Sequence, residues 1–186
     1  MTPFMSLLLP IVVAAFAVFV LSMIIHMTPW HKGDYVRFPD EDGVMGAIRA
    51  FNVPPNDYIT PHPGTGEYMK SKEFDDKCNA GPVMVVTIAP SGPWPMGKIM
   101  GLWFLFTLVV SASVACVVGT FVPPGGNGHA VFHHIAVITF LSYAMGAVPL
   151  SIWYYRKWST TFRHALDAVC YALASGAVFM WLWPTA

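Results

Sequence analysis

Four apolar stretches, at 5–25, 99–120, 130–150 and 165–183, organise this sequence. Each is long enough to supply the roughly 20 helical residues that cross a hydrocarbon core. The pattern therefore predicts an all-α membrane protein with four transmembrane helices. The first run is read as a retained helix, not a signal peptide: MTPFMS carries no Lys or Arg, the run is too long for an h-region, and no small-x-small cleavage pattern follows. The chain then divides into helix 1 (1–26), an interfacial segment (27–98) and helices 2–4 (99–186).

The segment between the first two runs is polar and punctuated, and is expected to be mixed and mostly irregular. In DEDGVMGAIRAF, Val44, Met45, Ile48 and Phe51 share one helical face, Asp40 is placed to cap, and Glu41 and Asp42 suit the positive end of the helix dipole. A second short helix is expected to start near Ser71, and 83–90 (VMVVTIAP) reads as a strand ended by its proline. NVPPNDYITPHPGTGEY is too rich in proline and glycine for sustained regular structure. With few core positions, the segment is expected to lie on the membrane surface, another loop or a partner.

Composition agrees with the periodicity: 55% of residues are hydrophobic and 11% charged, against about 25% charged in a soluble domain. Net charge is zero, so no basic face suggests nucleic acid. All ten Lys and Arg lie in the first and third connections. The positive-inside rule puts 27–98 and 151–164 in the cytoplasm of a bacterial inner membrane and both termini in the periplasm. Trp30, Trp94, Trp153, Tyr154, Tyr155 and Trp158 fall at the first interface and Trp181 and Trp183 at the other, as an aromatic belt requires.

Small residues recur four apart: Gly97 and Gly101; Ser111, Ala115 and Gly119; Ser142 and Gly146; Ala168, Ala172 and Gly176. That spacing lets helix backbones approach closely in lipid, either within the bundle or against foreign helices. Three cysteines without CxxC spacing support neither a disulfide framework nor a thiolate zinc site.

Histidines are the main candidate ligands. His26 and His164 mark the ends of helices 1 and 4 and would suit a haem held between two helices, although ordinary interfacial histidines are the simpler reading. His129 and His133, four apart on one face, suit two ligands of one metal, but no Asp, Glu or Cys accompanies them at that end. Asp167 is the one acid in or near a span, and an intramembrane carboxylate is a functional candidate. A local ion pair with Arg163, four residues earlier, explains it more simply. No Walker loop, GxGxxG, HExxH or GxSxG is present, so no catalytic residue is assigned and the chain is read as a non-enzyme. Trp30, Tyr35, Phe38, Val44, Ile48 and Phe51 are assigned to a partner-docking surface.

The stretches TPWHKGDYVRFPDEDGVMGAIRA, MKSKEF and GPVMVVTIAPSGPWPMGK resemble a group of bacterial inner-membrane four-helix proteins to which no activity is attached. The resemblance implies location and helix number and transfers no cofactor or functional residue. The expected role is a non-catalytic accessory or scaffolding subunit of a larger membrane complex of respiratory or photosynthetic electron transfer, with lipid and other membrane subunits as partners. No cofactor is required by the sequence. The competing readings are a haem- or quinone-binding electron carrier using His26 and His164, and a small transporter using Asp167.

Overall fold

The computed structural model describes residues 1–185. Along the chain the elements are α1 (Leu8–Met27), α2 (Glu41–Ala50), β1 (Asn56–Thr60), α3 (Lys72–Ala80), β2 (Met84–Ile88), α4 (Met96–Gly119), α5 (Gly128–Ala144), the short α6 (Val148–Trp153) and α7 (Trp158–Leu182). They form two compact units, one of Met1–Val36 with Pro95 onward, the other of Arg37–Trp94. Residues 27–36 thus belong with the helices and not, as the hydropathy division had them, with the polar segment.

Four helical stretches are long and apolar enough to cross a membrane: Phe4–Met27, Met96–Gly119, Gly128–Trp153 and Trp158–Leu182. The number matches the hydropathy pattern, but the last begins at Trp158 and not at 165. Thr160, Thr161, Arg163 and His164 interrupt the apolar run without interrupting the helix. Thr160 and Thr161 are buried, and the Thr161 hydroxyl meets that of Ser151 at 2.6 Å, tying α7 to α6. α1 ends at Thr28 because Pro29 follows. The Thr28 hydroxyl donates back to the Ile25 carbonyl, and the chain turns through one 3-10 turn, Pro29–His31.

The bundle is packed at one end. Leu7, Ile11 and Ala14 of the first span meet Val114, Ala115 and Val118 of α4, Val131 and Ile135 of α5, and Phe179 of α7. Main-chain bonds close this end: Thr2 N–H donates to the Gly119 carbonyl at 2.7 Å, and Gly125 N–H to that of Pro184 at 2.8 Å. Trp183, expected in an interfacial belt, is instead buried in this core, its indole N–H donating to the Pro123 carbonyl at 3.0 Å. Trp181, two residues earlier, is 78% exposed.

The small-residue spacing acts along α4 and α7. Ala115, Ala168 and Ala172 are buried, and at the packed end a Cβ built on Gly176 would stand 2.9 Å from the Phe132 ring and 3.1 Å from its carbonyl oxygen. Here α7 and α5 touch backbone to backbone. Gly97, Gly101 and Gly146 make no such approach within the bundle, since Cβ atoms on them would meet nothing within 4 Å.

The Arg37–Trp94 unit holds more regular structure than its prolines suggested. α2 is capped by Asp40, whose carboxylate accepts from Gly43 N–H at 2.9 Å, and α3 by Ser71, whose hydroxyl accepts from Phe74 N–H. β1 and β2 pair antiparallel, Asn56 opposite Ile88 and Thr60 opposite Met84. β1 corrects the sequence reading of that stretch as irregular. Its five residues fit between Pro55 and Pro61, and the Thr87 hydroxyl donates to Asp57 across the pair at 2.6 Å. No side chain in 37–94 is buried, so the unit is thin, as its scarcity of core positions implied. The apolar face of α2 stays uncovered, with Phe51 79% exposed.

Gly176→Val should lower the thermal unfolding midpoint of the detergent-solubilised protein, by the equivalent of about 1–3 kcal/mol of overpacking. Gly101→Val, placed in open space, should leave it nearly unchanged; scanning fluorimetry of the two side by side checks this.

Candidate functional site

At the end opposite the packed core, where α1 and α5 finish and α4 and α7 begin, the helices border a cavity of about 650 Å³ that is open on one side, within the ordinary volume range of small-molecule sites. Its walls are largely apolar. Met23, Met96 and Met100 supply flexible surface. Trp103, Phe106, Tyr143 and Tyr171 make a connected aromatic side, with Tyr143 and Tyr171 in edge contact at 5.2 Å. The Trp103 indole donates to the Ser22 hydroxyl at 2.7 Å, and that hydroxyl to the Phe19 carbonyl, so this wall is fixed to α1.

Polar groups gather where α1 ends and α7 begins. His26, His164 and Asp167 line the cavity. The turn after α1 brings His31 against His26, the rings stacked with centroids 4.3 Å apart, and against His164 at 5.7 Å. His31 Nδ1 and Asp34 Oδ2 are 2.7 Å apart, and the Arg163 guanidinium of α7 donates to the other Asp34 oxygen. The Asp34 side chain is only 6% exposed. Its burial alone would raise its pKa, but hydrogen bonds from His31 and Arg163 outweigh that and hold the carboxyl below its usual range.

Hydrogen bonding assigns the tautomers. An ionised Asp34 only accepts, so His31 Nδ1 carries a proton and donates; in the neutral form of the ring the Nε2 lone pair is then free. His26 Nδ1 lies 2.9 Å from the Ser22 carbonyl, which likewise only accepts, so its Nε2 lone pair is also free. His164 is the reverse: Arg156 can only donate, so His164 Nε2, 2.9 Å away, accepts and Nδ1 carries the proton.

Asp167 is buried one wall away. Its Oδ2 comes within 3.0 Å of His31 Nε2 without hydrogen-bond geometry, and both atoms are buried with no hydrogen-bond partner. This replaces the ion pair expected between Arg163 and Asp167: Arg163 pairs with Asp34, and Asp167 faces the histidines. One ligand atom each from His26, His31 and Asp167 lies within 4.8 Å of the others, the one such group of three among the described residues.

The structure therefore brings the two candidate haem ligands, His26 and His164, to one cavity. With its Nε2 lone pair taken by Arg156 and its Nδ1 protonated, His164 offers no lone pair to an iron in this arrangement. His129 and His133 are both exposed at the opposite end of the bundle, and no third ligand joins them among the described residues. Of the docking residues, Tyr35, Phe38, Ile48 and Phe51 are exposed, Trp30 is 44% exposed and Val44 is half-buried.

Sequence reasoning missed His31, Asp34 and Arg163 as members of a site. The available signal was charge matching, because a lone acid in a span needs a partner and the stretch His31-Lys-Gly-Asp34 offered one only if helices 1 and 4 were neighbours. No protein-family model matches the chain, and neither a curated protein nor a solved structure is similar to it.

Stability should report the Asp34 network through pH. The folded-state pKa lies below the unfolded value of about 3.9, so the ionised carboxylate stabilises the fold above that value, and this contribution disappears as pH falls through the lowered folded pKa. The unfolding midpoint of the wild type should drop more steeply below about pH 4 than that of Asp34→Asn, which should already be less stable at neutral pH.

Proposed function

We propose that the protein is a multi-pass membrane protein whose helix bundle holds a lipid-soluble molecule with a carbonyl-bearing head, of the quinone class, in the cavity at its polar end. The observation that carries this is the cavity's chemistry: apolar and aromatic walls with a few donors that lack partners. Among the described residues neither the Tyr143 nor the Tyr171 hydroxyl makes a hydrogen bond within the protein, and the tautomer of His164 leaves Nδ1–H free as well. Such a set suits acceptor oxygens on an otherwise apolar molecule. Membership of an electron-transfer assembly is compatible with this reading, since a bound quinone is most useful where it can be reduced and reoxidised.

The accessory-subunit reading keeps a specific support. Gly97 and Gly101 leave an unfilled small-residue surface on α4, and the apolar face of α2 is bare; both are what a docking subunit presents to others. A docked bundle and a bound quinone are not exclusive.

The orientation follows from charge. We place the Arg37–Trp94 unit and the Arg156–Lys157 turn in the bacterial cytoplasm, with the packed end of the bundle toward the periplasm, because all ten Lys and Arg lie in the first and third connections or in the first turns of the helices that follow them.

Gly146 lines the cavity and has open space around it, so Gly146→Leu should fill the site without a steric penalty. A decyl-substituted benzoquinone should bind the wild type saturably, read by quenching of tryptophan emission. Gly146→Leu should weaken binding at least about tenfold, a change of about 1.4 kcal/mol, while leaving the unfolding midpoint intact. Absent saturation, or equal affinity in the variant, would overturn the quinone reading.

For orientation, Cys78 is the one cysteine outside the spans. A membrane-impermeant maleimide should label it in lysed cells and inverted vesicles but not in intact spheroplasts.

A further inference from the structure

The cluster beside the cavity has a chemistry that the quinone reading does not use. We infer that His26, His31 and Asp167 form a binding site for one divalent first-row transition metal ion, of the Zn²⁺ or Fe²⁺ class, with Asp34 as the group that orients its central ligand. The inference is independent of what occupies the cavity.

Three observations carry it. First, two buried lone-pair atoms face each other: His31 Nε2 and Asp167 Oδ2 are 3.0 Å apart and neither has a hydrogen-bond partner. An anionic carboxylate and a neutral imidazole nitrogen repel at that distance unless a cation lies between them, and an uncompensated buried charge is costly. Two ligand atoms about 3.0–3.4 Å apart are what two cis positions of one ion with bonds near 2.1 Å require. Asp167 is 96% buried, being 4% exposed, so solvent does not supply the compensation.

Second, the hydrogen bonds around the cluster are those of metal-ligating histidines. A ligating imidazole donates its other N–H to a carboxylate or a backbone carbonyl, which fixes the tautomer and raises basicity. His31 does this to Asp34 and His26 to the Ser22 carbonyl; the two rings lie stacked, 11° from parallel, so the exposed His26 ring must turn out of the stack to aim its Nε2 at an ion held by His31 and Asp167. Asp34 is itself neutralised by Arg163, so it orients His31 without competing for the ion. His164, whose remaining nitrogen bears its proton, stands beside the site but not in it.

Third, the donor set selects the ion. Two imidazole nitrogens and one carboxylate oxygen, without thiolate, suit borderline divalent ions and suit neither Cu(I) nor Ca²⁺ and Mg²⁺, which prefer sulfur and all-oxygen sets respectively. Three protein ligands leave at least one position open, and His26 and Asp167, which line the cavity, put that position toward it.

The alternative is a proton: an imidazolium His31 bridging Asp34 and Asp167. A proton on Nε2 would make a hydrogen bond to Asp167, and that geometry is absent. It would also leave His26 without a role.

The test uses the full chain purified in mild detergent, stripped with chelator and titrated with Co²⁺ as a spectroscopic probe, then with Zn²⁺ in competition. One equivalent per chain should bind saturably with d–d bands of an ion in a nitrogen and oxygen environment. Asp34→Asn should weaken binding by about 10–100-fold, the usual effect of removing an outer partner. His26→Gln, at an exposed position where folding is not at stake, should weaken it at least as much, as should Asp167→Asn. A variant with both His129→Gln and His133→Gln should bind as the wild type. No saturable binding by the wild type would mean that a proton joins His31 to Asp167 and would overturn the site. Stoichiometric binding unchanged in His26→Gln, checked for native helix content by circular dichroism, would overturn it as well.

Discussion

The ion pair between Asp34, in the turn after α1, and Arg163, on α7, is the constraint on which the polar end of the bundle depends. Asp34 is nearly devoid of solvent and Arg163 is 25% exposed at its side chain, so each charge relies on the other for most of the stabilisation that water would otherwise give. The pair fixes where the chain goes on leaving α1: over the first turns of α7 and not away from the bundle. His31, three residues before Asp34, is carried along and set against His26 on one side and Asp167 on the other. Without that anchor the histidines are scattered interfacial residues; with it they are a cluster.

The bundle divides its labour along its length. At the Asn127 end, small residues let α5 and α7 meet at backbone distance around Gly176, and Phe179, Ile135 and the valines of α4 fill the remaining space. At the other end the same kind of residue has the opposite effect. Gly146, with no neighbour to touch, lines a cavity, and the large side chains Trp103, Phe106, Tyr143 and Tyr171 stand around it as a wall. Close packing at one end supplies the rigidity that an unfilled space at the other requires, because a cavity persists only where its lining cannot collapse into it.

The Arg37–Trp94 unit solves a different problem. It has no buried side chain, so its order rests on local devices: the Asp40 and Ser71 caps, the β1–β2 ladder with its Thr87 to Asp57 cross-strand bond, and the exposed Glu73–Lys77 pair on one face of α3. Each is a small term on a solvated surface. The apolar side chains of α2 contribute nothing while uncovered, which is why a covering surface is part of the accessory-subunit reading.

The sequence by itself determined the number of spans, the Asp40 cap of α2, the start of α3 near Ser71 and the strand now seen as β2, because each is set by local chemistry: hydrocarbon length, a side chain reaching its own backbone, a run of β-branched residues ended by proline. It misplaced what depends on neighbours. β1 hid between prolines because a strand is defined by its partner. Trp183 read as a belt residue because nothing local distinguishes an interfacial indole from one whose N–H finds the Pro123 carbonyl. Asp34 carried no assigned role in the sequence, yet its carboxylate turns inward to Arg163, 129 residues on. Asp167 was given Arg163 because four residues on a helix are visible in a sequence, whereas the adjacency of α1 to α7 is not. Only the tertiary structure could choose between partners for a buried charge, since that choice is made by distance in space and by the loss of water around it.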